Sequence, residues 1–127
     1  MKKILVIDED TSLLKAYQEM FRGSDVTVIG AATGQQGLLM VQSEKPDAIL
    51  LDIMLPGGMN GFDVLEQLKK DSATKQIPVI VLTNLDTEEK VSKTIGASGY
   101  IVKANTTKDE IVKLVMDCLR SPHLAEA

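Results

Sequence analysis

The stretch Ala48-Ile49-Leu50-Leu51-Asp52-Ile53-Met54-Leu55-Pro56 decides how the rest of the chain is read. Four apolar residues in a row, with no polar alternation, fit a short strand covered on both faces. Asp52 breaks that run, and Pro56-Gly57-Gly58 then stops regular structure. A carboxylate at the end of a buried strand must be solvated, paired or metal-bound, because burial without a partner is costly. On this stretch alone, a polar strand cap and a functional carboxylate are equally good readings.

The flanking sequence repeats the pattern. Ile4-Leu5-Val6-Ile7 is a β-branched run ending on Asp8-Glu9-Asp10. Leu13, Leu14, Tyr17 and Phe21 then recur at helical spacing, which predicts a first helix from about Thr11 to Arg22 with Asp10 as its N-cap. Val26-Thr27-Val28-Ile29 reads as a second strand. Thr33-Gly34-Gln35-Gln36 has capping-box spacing for a helix that ends before Pro46. Downstream of the opening stretch, Asn60 caps a helix carrying Phe62, Val64, Leu65 and Leu68. Residues 77–83 form a fourth strand, with Pro78 near its start where a missing N–H matters least. Asp86-Thr87-Glu88-Glu89 opens a short polar helix, and Tyr100-Ile101-Val102 is a fifth strand followed by Lys103. Thr107-Lys108-Asp109-Glu110 caps a last helix whose core stripe is Ile111, Leu114, Val115, Cys118 and Leu119. Val112 and Met116 either widen that stripe or add to a surface for a partner.

Strands and helices alternate five times, which demands an α/β fold: a doubly wound, five-stranded parallel sheet with five helices on its two faces. Such sheets bind ligands at the carboxyl ends of their strands. That places Asp8, Glu9 and Asp10, then Asp52, Thr83 and Lys103, at one end of the molecule. Two carboxylates about 4 Å apart repel by roughly 4 kcal/mol at an effective dielectric near 20. Such a cluster protonates or recruits a cation, and an all-oxygen donor set selects a hard divalent ion such as Mg2+. A cation, an amine and a hydroxyl around one remaining carboxylate suggest phosphoryl chemistry at that carboxylate.

The bulk properties exclude several classes. The chain has 127 residues, enough for one domain. Residues 1–120 are expected to form it, with 121–127 as a disordered tail. The single cysteine, Cys118, permits no intrachain disulfide and fits a reducing compartment. No segment approaches the roughly 20 apolar residues of a membrane span. Met1-Lys2-Lys3 runs into a strand with no signal-peptide pattern, so the expected location is the cytoplasm with no membrane partner. A net charge of −4 and the absence of tryptophan argue against direct nucleic-acid binding.

Four pieces taken together resemble the receiver domains of two-component response regulators, similar to the stand-alone chemotaxis type. They are residues 4–10, residues 46–52, Val79-Ile80-Val81-Leu82-Thr83, and Gly96-Ala97-Ser98-Gly99-Tyr100-Ile101-Val102-Lys103. The match covers about residues 2 to 120. The resemblance implies a flavodoxin-like sheet in the order 2-1-3-4-5. It implies Asp52 as phosphoacceptor, and Mg2+ held by Asp8, Glu9, Asp52 and the main-chain carbonyl of Met54. Thr83 and Lys103 would contact the phosphoryl group, Thr83 and Tyr100 would act as the switch, and Met54 and Leu85 would tune water access. The implied donor is a histidine kinase or phosphotransfer protein. The implied output is an altered surface on the fourth helix, fifth strand and fifth helix, presented to a protein target or to a second copy of the chain. On this reading the chain is not an enzyme beyond promoting its own phosphorylation and slow dephosphorylation.

Three features depart from the common family pattern: Ala104 rather than proline after Lys103, Glu9 rather than aspartate, and a loop after Asp52 that is one residue longer. Two enzyme or ligand-binding readings fit less well. A haloacid-dehalogenase-like phosphatase needs a second acid two residues after the nucleophile, where Met54 stands. A flavin or nucleotide binder needs a phosphate-cradling loop after the first strand, where Asp8-Glu9-Asp10 would repel phosphate. A docking-only pseudo-receiver is disfavoured by the complete set of site residues.

Overall fold

A computed structural model describes residues 2–83 and 89–120. Its elements are β1 (Lys2–Ile7), α1 (Thr11–Met20), β2 (Val26–Ala31), α2 (Gly34–Glu44), β3 (Ala48–Leu51), α3 (Gly61–Lys70), β4 (Val79–Thr83), α4 (Glu89–Ile95), β5 (Gly99–Val102) and α5 (Lys108–Arg120). The five strands are parallel in the order β2-β1-β3-β4-β5, as expected. β3 lies between β1 and β4, and all four of its residues are buried.

Side chains alternate across each strand, and two cores result. Ile4, Val6, Ala48, Leu50, Ile80, Leu82 and Ile101 pack with Tyr17 and Phe21 of the α1 region and with Ile111, Val115 and Cys118 of α5. Leu5, Ile7, Ile49, Leu51, Val79 and Val81 pack with Val41 of α2 and with Val64, Leu65 and Leu68 of α3. Each fully buried aliphatic side chain contributes about 1.5–3 kcal/mol of transfer free energy, so the two cores carry most of the stability. Val112 and Met116 are half-buried against the first core and thus widen the packed face of α5.

The helix starts follow local chemistry. Asp10 accepts hydrogen bonds from the Ser12 N–H at 3.0 Å and the Ser12 hydroxyl at 2.6 Å. Asn60 and Asp63 form a reciprocal capping box at 3.0 Å each way. Thr107 and Glu110 do the same at 3.2 Å. The Thr33 box closes differently: Thr33 Oγ1 accepts from the Gln36 N–H, but Gln36 Oε1 accepts from the Ala32 N–H instead. Lys45 ends α2 in the left-handed region at φ 48°, directly before Pro46.

Several boundaries shifted: β1 begins at Lys2 rather than Ile4, α1 ends at Met20 rather than Arg22, and β5 begins at Gly99 rather than Tyr100. β2 continues through Gly30 and Ala31, because Val6 and Ile7 of β1 pair with them. β4 begins at Val79 rather than Ile77, although the Pro78 carbonyl still accepts from the Ile49 N–H at 3.0 Å. The expected helix start at Asp86 and the tail from residue 121 lie outside the described residues. No helix among the described residues is long and apolar enough to cross a membrane.

Candidate functional site

β1 and β3 are neighbours in register, with Ile7 opposite Leu51. Asp8 and Asp52 therefore leave the sheet side by side. Continuing the strand alternation by one residue puts both on the face shared with Val6 and Leu50, the α1/α5 side. Asp8 is 6% exposed and Asp52 8% exposed, so these are buried carboxylates, not solvated caps.

Their partner is Lys103. Its ammonium donates to Asp8 Oδ2 at 2.8 Å and to Asp52 Oδ2 at 3.1 Å. The second oxygen of each acid is held by the main chain two residues on. The Asp10 N–H donates to Asp8 Oδ1 and the Met54 N–H donates to Asp52 Oδ1, both at 3.0 Å. Each carboxylate is thus fixed on one side by backbone and on the other by one shared cation. Burial, the largest influence on Lys103, favours its neutral form. The hydrogen bonds and charges of Asp8 and Asp52 outweigh burial and hold its pKa above the ordinary 10.5. Burial, then the charges of Asp8, Asp52 and Asp10, pushes the Tyr17 phenol above its ordinary 10.0, so it stays neutral.

Lys103 opens a single 3-10 turn, Lys103–Asn105, and no cis peptide occurs among the described residues. Without proline at Ala104 the Lys103–Ala104 peptide is trans, and the lysine still reaches both acids. The longer loop after β3 turns through Gly57 and Gly58, at φ 87° and 82°, a region open to glycine at little cost. Gln35 of α2 reaches across to the Gly57 carbonyl at 3.4 Å.

The remaining expected residues are distributed as follows. Glu9 is exposed and lines an open groove with Met54, Leu55 and Phe62, beside the two buried acids. Met54 is 60% exposed. Thr83 is buried, and its parity with Val79 and Val81 puts it on the sheet face opposite Asp52. Tyr100 is half-buried on that same face, two residues before Val102, which pairs with Thr83. Leu85 lies outside the described residues.

The donor set suits a hydrated hard cation. Among the described residues no three Asp, Glu, His or Cys side chains form a ready-made metal cage. Two buried carboxylates that each keep spare lone pairs, with Glu9 close in sequence, fit an ion such as Mg2+ that takes one or two carboxylates and retains waters.

One residue at the site was not singled out by sequence reasoning. Gly61, the first residue of α3, donates its N–H to the Ile53 carbonyl at 2.8 Å. A Cβ placed there would meet the Asp52 carbonyl oxygen at 2.3 Å. A glycine following a cap carries no signal of that contact in sequence.

The family model for the response regulator receiver domain matches residues 4–116. This chain belongs to that family. The receiver domain is 38% identical over 105 residues to Protein PilH of Pseudomonas aeruginosa, covering 81% of this chain and 86% of PilH. It is 39% identical over 117 residues to the DNA-binding response regulator MtrA of Mycobacterium tuberculosis. That match covers 89% of this chain but 49% of MtrA, so the receiver spans about half the length of that relative. Among solved structures it is similar to the Mn2+-bound form of response regulator Rcp1, with a TM-score of 0.78 and 27% identity, covering 93% of this chain and 92% of Rcp1.

Proposed function

We propose that this receiver domain is a phosphorylation-driven switch, in which Asp52 takes a phosphoryl group from the phosphohistidine of a histidine kinase or phosphotransfer protein. The observation that carries the reading is the shared ammonium: Lys103 joins two buried carboxylates at adjacent strand ends. Asp52 Oδ1 is engaged by backbone, whereas Oδ2 is engaged by a side chain that can move. Oδ2 is therefore the attacking oxygen. Its lone pair forms the new O–P bond, the P–N bond breaks, and that electron pair leaves on the imidazole nitrogen, which takes up a proton. Lys103 meets the negative charge on the phosphoryl oxygens. Asp8, Glu9, Asp52 and the Met54 carbonyl would hold Mg2+, whose positive charge would neutralise the same oxygens. The Mn2+-bound form of Rcp1 supports a divalent ion here.

A phosphoryl group carries close to two negative charges at neutral pH. Thr83 and Tyr100 are the readout: from the last position of β4, beside β3, the Thr83 hydroxyl would swing around the strand end toward the phosphoryl group while the ring moves inward. Their common sheet face supports a coupled response on the α4/β5/α5 surface. That surface would bind a protein target or a second copy of the chain. Moving a two-state equilibrium from 1:99 to 99:1 takes about 5.5 kcal/mol of differential stabilisation, which contacts from a lysine and a metal to one phosphoryl group can supply. The chemistry ends at self-phosphorylation and slow hydrolysis, with apolar Met54 and Leu85 limiting water, in keeping with a switch in the cytoplasm.

The test is the intact mass of the protein after incubation with acetyl phosphate or phosphoramidate and Mg2+. One added phosphoryl group on the wild type and none on Asp52→Asn is expected. An unchanged wild-type mass, or equal uptake by the variant, overturns the reading.

A further inference from the structure

The start of α3 is seated on the peptide that carries the acceptor, and we infer that Gly61 is a positioning residue for Asp52. The inference rests on the phosphoacceptor reading above. The three atoms nearest a Cβ at Gly61 are all backbone: Asp52 O at 2.3 Å, Ile53 Cα at 2.6 Å and Asp52 C at 2.9 Å. None of these can rotate away as a side chain can. The Gly61 N–H closes the same contact onto the Ile53 carbonyl at 2.8 Å, and the Asn60–Asp63 capping box fixes where the helix begins.

The Asp52–Ile53 peptide leads directly to Met54, whose N–H holds Asp52 Oδ1. A side chain at position 61 therefore displaces a backbone segment that orients both the carboxylate and the Met54 carbonyl. Loss of packing alone would act differently, through stability. Gly30 offers the contrast. A Cβ there meets the Leu14 side chain at 2.6 Å, also too close to stand unchanged, but with methyl groups that can move aside and no link to the Asp52 backbone.

The experiment compares Gly61→Ala, Gly30→Ala and Asn60→Ala with wild type. Three readouts are taken: thermal midpoint, Mg2+ dissociation constant by calorimetry, and phosphorylation rate with phosphoramidate by intact mass. Gly61→Ala is expected to lower the rate and weaken Mg2+ binding about tenfold each, short of the roughly hundredfold that a full 1 Å misplacement can cost. Gly30→Ala is expected to lose thermal stability while both site readouts stay within about twofold of wild type. Asn60→Ala loosens the helix start without adding an atom at the contact, and is expected to weaken both site readouts about threefold. It decides the matter if Gly61→Ala does not fold. The inference is overturned if folded Gly61→Ala matches wild type in both site readouts. It is also overturned if Gly30→Ala loses as much as Gly61→Ala, or if Gly61→Ala does not fold and Asn60→Ala matches wild type. A wild type that binds Mg2+ but takes up no phosphoryl group defeats the phosphoacceptor reading, while the Mg2+ titrations still judge Gly61.

Discussion

Two ion triads on this domain have similar bond lengths and opposite characters. At the strand ends, Lys103 is shared by Asp8 and Asp52, with the three side chains 19%, 4% and 10% exposed. On α5, Asp117 is shared by Lys113 and Arg120, with side chains 39%, 78% and 72% exposed. The first triad gathers the residues that directly follow β1, β3 and β5. The second lies within two turns of one helix. In the exposed triad each charge is solvated whether or not its partner is present, so the pairing contributes little. In the buried one each charge depends on the others, because removing one strands its partners out of water. The difference shows why a short salt bridge is weak evidence of importance until burial and sequence separation are known.

The comparison breaks most visibly at Lys103. Lys103→Met should cost roughly 3 kcal/mol in urea unfolding without divalent ions, the lower end for a broken buried pair. The lower end applies because Lys103 keeps a fifth of its side-chain exposure. Adding Mg2+ should restore the variant more than it raises the wild type, since a second cation can satisfy the two acids. Equal gains in both proteins would show that metal and lysine do not serve the same carboxylates.

The pH dependence sharpens the same point. The Lys103 pKa is raised above 10.5, so its contribution is fully present below that value and is lost as pH rises through the higher folded-state value. The stability gap between wild type and Lys103→Met should hold steady from about pH 7 to about pH 10, then narrow. A gap already closing by about pH 9 would mean that the acids do not hold the proton on Lys103.

The smallest effect belongs to the exposed triad. Hydrogen bonds from Lys113 and then Arg120 hold the Asp117 carboxyl below its ordinary value, yet it remains accessible to solvent. Asp117→Asn should leave the urea midpoint unmoved within measurement scatter, at low and high salt alike. A clear loss would remove the distinction between the two triads.

Much of this arrangement is legible in the chain because it is local. The caps at Asp10, Asn60 and Thr107 follow from short-range spacing, and the strands follow from uninterrupted apolar runs. Asp52 stands out because a charge closes the most buried of those runs. The pairing of Lys103 with Asp8 and Asp52 was legible only as a consequence of strand order. The extension of β2 through Gly30 and Ala31 was not legible, since glycine reads as a stop until β1 supplies a partner register. The Gly61 contact was hidden for a related reason. It concerns how closely two backbones approach, and a glycine codes for that only by lacking an atom.

The Lys103–Asp8 bridge spans 95 positions along the chain. A contact of that separation forms only after the intervening strands are aligned, because the entropy of closing so long a loop is lost before the contact is gained. The pair is therefore a late event in folding, and its strength is expressed in how slowly the native state opens rather than in how fast it is reached. The cation that joins the two acids is also the latch that times the opening of the sheet.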